Sequence, residues 1–444
     1  MNSTNTNQPF QAKSSTNKVT LSTPNLTLRI LNVAFDVGSE SLNWSAELGG
    51  RMINDQCCND SRDIRKTLGR IMNEASQFDY HVSNIRIICE STGIYHRRLL
   101  QLASSLGMRT NLVHGEAVAK FRAIQFADHG KTDRRDPQAA LTVAKVGRLI
   151  KHRQLDKQYA QLRELHRLVL RCEARIKIAK CELHADLRSL FPDLRLDKAV
   201  VYGPTGRALI DQFSGNPHVI VAAGFETFCD KIKARSKHTK AATLKKIWQA
   251  AQGAVLGLDQ NSQAVAEIQA RGIEQLYAEI TAFLQQQRQL EQQMQELYQQ
   301  LQAVDRRLPN PQKGVVTKRM LSRLVAEIGP PDDFGTLQQL MRYAGLNLCE
   351  RQSGKWRGRT TISRRGRSEL RYVLNLMSIP LIGRQKMFGH YYWKKKDDDK
   401  MPGQKALTCV MRKILKMFFG WYQSGGDFDN GRVFVSASEY SKAA

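Results

Sequence analysis

The sequence predicts an α/β N-terminal domain, then long coiled-coil helices, then a mainly α-helical C-terminal domain. Three observations predict this. Two apolar runs, "LRILNVAFDV" and "NIRIICE", read as buried strands, and a stretch of helical spacing separates them. Residues 262–304 place Leu276, Ile280, Phe283, Leu290, Met294, Leu297, Leu301 and Val304 on a 3-4 spacing, interrupted at Gln287, with Gln and Glu at most other positions. Residues 308–425 are helical in pattern and strongly basic.

Taken in order, residues 1–26 are rich in Ser, Thr, Asn and Gln without an apolar core, which predicts a disordered tail and not a signal peptide. The α/β domain spans 27–150. "SLNWSAEL" alternates and suits a hairpin partner for the first strand; Ile64, Leu68, Ile71 and Met72 give 60–77 helical spacing. After "NIRIICE", Leu99, Leu102 and Leu106 mark a helix over 94–106, and "MRTNLVH" is a third strand. Helices over 115–126 and 136–149 follow, the second with Pro137 in its first turn. The result is a mixed sheet with helices.

Residues 151–307 form a helical coiled-coil region. A helix over 156–191 aligns Tyr159, Leu162, Leu165, Val169, Cys172 and Ile176; the insert 192–261 is mostly helical, with turn signals at Gly203-Pro204 and Gly215-Asn216-Pro217. The seam over 262–304 pairs back on 156–191 or joins another subunit. Beyond the domain 308–425, residues 426–444 are an irregular tail.

The chain has 444 residues, 41% of them hydrophobic, so a sizeable core is available. Lys and Arg number 68 against 41 Asp and Glu, a net charge of +27. Such a surplus favours a polyanion, because neutralising phosphates releases condensed counterions. A membrane-surface protein fits less well: no helix joins a Lys/Arg face to a Trp/Phe face, and no run reaches the roughly 18 apolar residues of a span. Cys57, Cys58, Cys89, Cys172, Cys181, Cys229, Cys349 and Cys409 form no Cys-x-x-Cys pair, so they read as reduced thiols in a cytoplasmic protein.

Asp36 closes the first buried strand and Glu90 the second, at the sheet edge where sites in α/β folds lie. Asp133 and Asp136 open a helix three residues apart and point the same way if the turn begins there. Each alone also reads as capping or a solvated turn residue. Together, four converging carboxylates repel one another and call for divalent cations, with Mg²⁺ the usual choice. Two such ions about 3.5–4 Å apart serve phosphoryl transfer. The order of strand Asp, strand Glu and Asp-x-x-Asp fits an RNase H-type nuclease fold.

"FDVGSESL", "ICESTGIYH" and "HGKTDRRDPQAA" resemble the three N-terminal motifs of the DEDD insertion-sequence transposases, bridge-RNA-guided recombinases with a resolvase-like N-terminal domain. Independently, "LVAEIGPPDDFGTLQQLMRYAGLNLCERQSGKWRGRTTISRRGRSELRYVLNLMS" resembles the second transposase domain of that family, and "MRKILKMFFGWYQSGGDFD" its closing helix. The resemblance covers most of 29–430 and is weakest over 192–261. It implies a DNA recombinase with Asp36, Glu90, Asp133 and Asp136 on Mg²⁺ and Ser353 as nucleophile. It implies a phosphoserine intermediate, with the carboxylates serving the serine of another subunit. It also implies double-stranded donor and target DNA, a structured non-coding guide RNA, an assembly running from dimer to tetramer, and a place at the prokaryotic nucleoid. Three departures stand out: "AGLNLCER" lacks the usual proline, "LPNPQKGVV" keeps Gly314 without a clean Pro-Gly-x-Gly hairpin, and Pro137 replaces the common alanine.

The residues themselves say less about Ser353. A serine hydroxyl is a weak nucleophile without a base, a metal or strong positive charge. Gly354 lets a backbone approach closely, and the nearby cations suit phosphorane charge. A turn serine in a phosphate-binding loop fits the same pattern, and Ser363 and Ser368 are chemical rivals. Lys355, Arg357, Arg359, Arg364, Arg365, Arg367 and Arg371, with Arg351, face one acid, Glu369, and are candidate nucleic-acid contacts. Trp356 among them suits base stacking. Lys131 is placed to touch the scissile phosphate or to be solvated. Tyr95 reads as a core or capping tyrosine ahead of one that stacks on nucleic acid, His96 and His129 lack ligand partners, and Lys394-Lys395-Lys396 reads as a solvated loop, with contact to RNA backbone as its alternative. Two other readings stay open. A junction-resolving nuclease needs the carboxylates and not Ser353; a non-catalytic nucleic-acid-binding protein needs neither.

Overall fold

The computed structural model describes residues 29–90, 93–126, 135–147, 149–256, 260–350, 352–353, 356–358 and 360–434. It divides into two compact units, Met1–Gln154 and Leu155–Ala444.

The first unit is built on one sheet. Strands β1 (Leu31–Val37), β2 (Ser41–Leu48) and β3 (Arg51–Cys58) form an antiparallel meander. After helix α1 (Ser61–Ser76), strand β4 (Ile85–Glu90) returns parallel to β1. Helix α2 (His96–Ser105) leads to β5 (Arg109–Val113), parallel to β4. Helices α3 (Gly115–Phe126) and α4 (Arg135–Lys145) precede the short antiparallel β6 (Ile150–Lys151). The sheet order is β3-β2-β1-β4-β5-β6. One face carries Val33, Phe35, Ile87 and Cys89 against Ile64 and Leu68 of α1 and Leu99 of α2. The other carries Ala34 and Ile88 against Val118 of α3 and Ala140 and Val143 of α4. Helix α1 starts where Asp60 accepts from the Arg62 and Asp63 amides.

Strand β3 extends the sheet beyond the expected hairpin. Its side chains are mostly exposed, so it carries no apolar alternation; backbone pairing with β2 holds it. Gly49 and Gly50 turn between them at φ of +57° and +79°, the left-handed pair that a two-residue hairpin turn requires.

In the second unit, α5 (Lys157–Leu190) and α11 (Gln260–Val304) run side by side. Cys172 bonds Gln286, Glu173 bonds Gln287 and Ser189 bonds Gln269, so the two helices are antiparallel and the seam pairs back within the chain. Between them the insert folds as α6 (Lys198–Val201), α7 (Pro204–Phe213), α8 (Pro217–Ala223), α9 (Phe225–Arg235) and α10 (Ala241–Val255). Leu209, Ile220, Phe228 and Ile247 of these helices share one core with Leu183 of α5 and Ile273 and Ile280 of α11. Val304, expected on the seam, is 79% exposed: it is the last residue of α11, where the chain turns away.

A second core joins Leu162 and Val169 of α5 and Met294 and Leu301 of α11 to the C-terminal helices. These are α12 (Lys318–Ile328), α13 (Leu337–Tyr343), α14 (Ser368–Ser378), α15 (Gly389–Trp393) and α16 (Gly403–Ser424). Thr317 caps α12 through the Met320 amide, after a turn in which Gly314, at φ of +78°, sits inside a Gln312–Val316 bridge. Lys394–Asp398 is one π-helical turn and not a loop: Lys395 pairs with Asp399, and Lys396 lies over the Trp393 ring. Among the described residues, all eight cysteines are free thiols, and no helix is long and apolar enough to cross a membrane.

Candidate functional site

Register brings the two strand acids together. β1 and β4 pair in parallel with Phe35 opposite Cys89, so the next residues, Asp36 and Glu90, stand side by side at the carboxyl edge of the sheet. Neighbouring strands lie about 4.8 Å apart. Side chains alternate along a strand. Ala34 and Ile88, two residues earlier, pack beneath α3 and α4, so Asp36 and Glu90 share that face.

Glu90 lies across the start of α3. A Cβ on Gly115 would meet its Oε1 at 2.0 Å and its Cδ at 2.6 Å, an approach that only glycine permits. Asp136, the second residue of α4, is 8% exposed, and Arg122 of α3 donates to its Oδ1 at 2.5 Å. The loops after β1 and β4 are tied by one side chain: Asn59 Nδ2 donates to the Gly38 carbonyl at 2.8 Å and the Tyr95 carbonyl at 3.4 Å. Arg98 in turn donates to the Asn59 carbonyl at 2.8 Å.

Asp133 and Lys131 lie outside the described residues, and among the described ones no group of three or more His, Cys, Asp and Glu is placed to hold a metal ion. The donor chemistry still fits a hard divalent cation. Asp36 and Glu90 bring carboxylate oxygens to one edge, and the missing Cβ of Gly115 makes room for one of them. Asp136 is engaged by Arg122, whose charge offsets it in this state.

In the second unit, the segment between α13 and α14 carries two short strand pairs and is termed the arm. Strands β7 (Leu348–Cys349) and β10 (Thr361–Ile362) pair antiparallel as its stem. The Ser363 amide donates to Asn347 at 2.9 Å and the Arg364 amide to Gly345 at 3.0 Å. Ser363 also bonds the Asn347 side chain at 2.5 Å, so this rival serine is committed to the stem. Further out, β8 (Gln352–Ser353) pairs with β9 (Trp356–Arg357), Ser353 opposite Trp356. The side chains of Ser353, Trp356 and Arg357, and residues Arg351, Lys355 and Arg359, lie outside what is described. At the base the backbones touch: a Cβ on Gly366 would lie 2.4 Å from the Gly345 nitrogen.

Residues 33–192 match a DEDD-type transposase model, and residues 314–392 match the model of the transposase IS116/IS110/IS902 family. The chain carries IS110-family transposase domains. It is a DNA transposase, the enzyme of an insertion sequence, and its DEDD domain is RNase H-like. The reading as a non-catalytic binding protein is thereby set aside. No curated protein matches the chain.

The first matched segment of the transposase contains Asp36, Glu90, Asp133 and Asp136; the second contains Ser353 and the basic block. Within that block the structure separates two kinds of cation. Arg364 and Arg365 are exposed on the arm. Arg367 and Arg371, expected as nucleic-acid contacts, turn inward instead: Arg367 pairs with the buried Glu327, and Arg371 donates to the Ala344 and Gly366 carbonyls at 3.0 and 3.1 Å. Tyr95 is 47% exposed and makes no side-chain cap, contrary to the core or capping reading, because it lies in the loop beyond β4. Reading by residue type missed Gly115, Asn59 and Arg122. A glycine directly after the strand "LVH" at a helix start was the available signal for the first.

Proposed function

We propose that this transposase cuts and rejoins DNA through a covalent phosphoserine at Ser353, with Asp36, Glu90, Asp133 and Asp136 holding Mg²⁺. The observation that carries the reading is the in-register juxtaposition of Asp36 and Glu90 above Gly115. Bound there, Mg²⁺ would offset phosphate charge and favour the alkoxide forms of attacking and leaving oxygens. In the proposed reaction Ser353 Oγ forms a bond to phosphorus as its proton passes to solvent, the bond from phosphorus to the departing sugar oxygen breaks, and that oxygen takes up a proton to become a hydroxyl. Rejoining runs the same exchange in reverse on a second strand end. Exposed Arg364 and Arg365 then hold backbone phosphate.

The carboxylates and the serine are proposed to come from different subunits, in a dimer or a tetramer built of dimers. A structured guide RNA is proposed to supply base pairing with donor and target DNA. The net charge of +27 supports a second polyanion beside DNA. Co-purified RNA, sequenced, tests that part directly. For the chemistry, wild-type protein, Ser353→Ala and Asp36→Ala are mixed with substrate DNA and Mg²⁺, denatured and run on a gel. An adduct confined to wild type supports the proposal. Strand cleavage that survives in Ser353→Ala makes the protein a metal-dependent nuclease instead.

A further inference from the structure

Helix α12 carries a polar stripe through the core of the second unit. Arg323 and Glu327, one helical turn apart, are 0% and 1% exposed. Arg323 Nη2 pairs with Glu173 of α5 at 2.6 Å and with Glu291 of α11. Gln287, where the apolar seam of α11 breaks, donates to both acids at 3.2 and 3.1 Å. Glu327 divides its two oxygens. His166 of α5, itself 0% exposed, bonds Oε1 at 2.6 Å, and Arg367 pairs with Oε2.

Arg367 is the residue that joins the arm to α14. Its amide donates to the Tyr343 carbonyl at 2.8 Å, across the same base that Gly345 and Gly366 bring together. Other contacts converge there. Arg163 of α5 donates to the Ala326 and Glu327 carbonyls at 3.0 and 2.9 Å and reaches the Tyr343 hydroxyl at 3.2 Å. On α14, the Tyr372 hydroxyl bonds Glu173 at 3.1 Å. Burial alone would raise the Glu327 carboxyl, but the His166 hydrogen bond and the Arg367 charge outweigh it and hold the group below the ordinary carboxylate range. Arg367 shifts the opposite way, as a paired cation does.

We propose that Glu327 is a positioning residue: its carboxylate, fixed to α5 by His166, grips Arg367 and so fixes the β7–β10 stem that leads to Ser353. The proposal rests on Ser353 being the nucleophile, while the mechanical part stands on the contacts alone. Long helix α5 thereby connects to the arm through side chains and not only through the chain.

The test uses the full-length protein as wild type, Arg367→Lys, Arg367→Gln and Glu327→Gln. Two quantities are read: amide hydrogen exchange over 345–367, and the single-turnover rate of adduct formation with DNA. Arg367→Gln should speed exchange of the Ser363 and Arg364 amides at least tenfold and leave α16 amides within twofold. Adduct formation should slow at least tenfold, with DNA affinity within twofold. Arg367→Lys, which retains the charge, should recover part of both losses. Glu327→Gln should match Arg367→Gln, and the double variant should be no worse than either. Exchange that stays at the wild-type rate in the stem, or rises uniformly across the unit, overturns the proposal. If wild type forms no adduct, the serine reading fails, and exchange alone still decides whether Glu327 fixes the arm.

Discussion

Gly115 offers the sharpest perturbation of the carboxylate edge. The residue lies outside the left-handed region, so alanine suits its backbone, and an alanine in a helix is favoured over glycine by about 0.5–1 kcal/mol. The fold should therefore tolerate Gly115→Ala. The added Cβ, however, would sit 2.0 Å from Glu90 Oε1, where real contacts begin near 3.0 Å. The carboxylate must retreat by about 1 Å, by rotating about its own side-chain bonds at a cost of order 1 kcal/mol. A 1 Å misplacement costs about 10²-fold in rate, or about 2.7 kcal/mol of barrier. Single-turnover strand cleavage with Mg²⁺, run beside a thermal melt, separates the two effects. We expect cleavage to fall about 100-fold while Tm moves by less than about 2 °C. Full-rate cleavage by Gly115→Ala, when Glu90→Ala is inactive, would refute the idea that Gly115 sets the position of the carboxylate. A collapse of Tm would refute the claim that the site accepts a methyl group.

Asp36→Asn should lose cleavage by at least about 10²-fold with DNA affinity retained, since it removes a charged oxygen from the edge and leaves the strand; chelation followed by Mg²⁺ should restore wild type and not the variant. Arg323→Met leaves Glu173 without its cation and Glu291 with Arg319 alone, and should cost about 3 kcal/mol, lowering Tm by on the order of 10 °C. Adding Glu291→Met should return much of that loss. Because the Glu327 carboxyl is held below its ordinary value of 4.5, its contribution to stability is present above that pH and is lost as pH falls through the lower folded value. The Tm difference between wild type and Glu327→Gln should thus be widest near neutrality and narrow below pH 4.5; a gap that is constant from pH 7 to pH 3 would contradict the charged pair.

Strands β1 and β4 were legible because both of their faces are covered, which forces continuous apolar runs. The same runs located Asp36 and Glu90 by their positions at strand ends, but their adjacency needed the register between two strands some fifty residues apart. Strand β3 is not legible from its side chains; Gly49-Gly50 is the one local sign of it. The break in the seam at Gln287 was visible, yet its meaning was not, because Arg323, Glu173 and Glu291 come from three separate helices. For the same reason a count of cations placed Arg367 on nucleic acid. Charge can be read from a sequence; whether a carboxylate 40 residues away has already claimed it cannot.

The polar stripe of α12 is a poor way to gain stability, and that is the argument for its having another role. Arg323 leaves Nε and Nη1 without partners among the described residues, and His166 leaves Nε2 likewise. Each unmet buried polar atom costs about 1–3 kcal/mol, and apolar side chains in place of a buried ion pair are often neutral or better. What apolar packing lacks is a unique register, since leucines accept small slips of one helix along another. Arg323 and Glu327, one turn apart, meet Glu173, Glu291, His166 and Arg367 together, which ties α12 to α5, α11 and the root of the arm at once. An attacking oxygen has to be delivered to about 3–3.5 Å from phosphorus, a tolerance smaller than one slip of a helix. On the proposed serine chemistry, a costly and unique base for the arm is worth more than a stable and degenerate one.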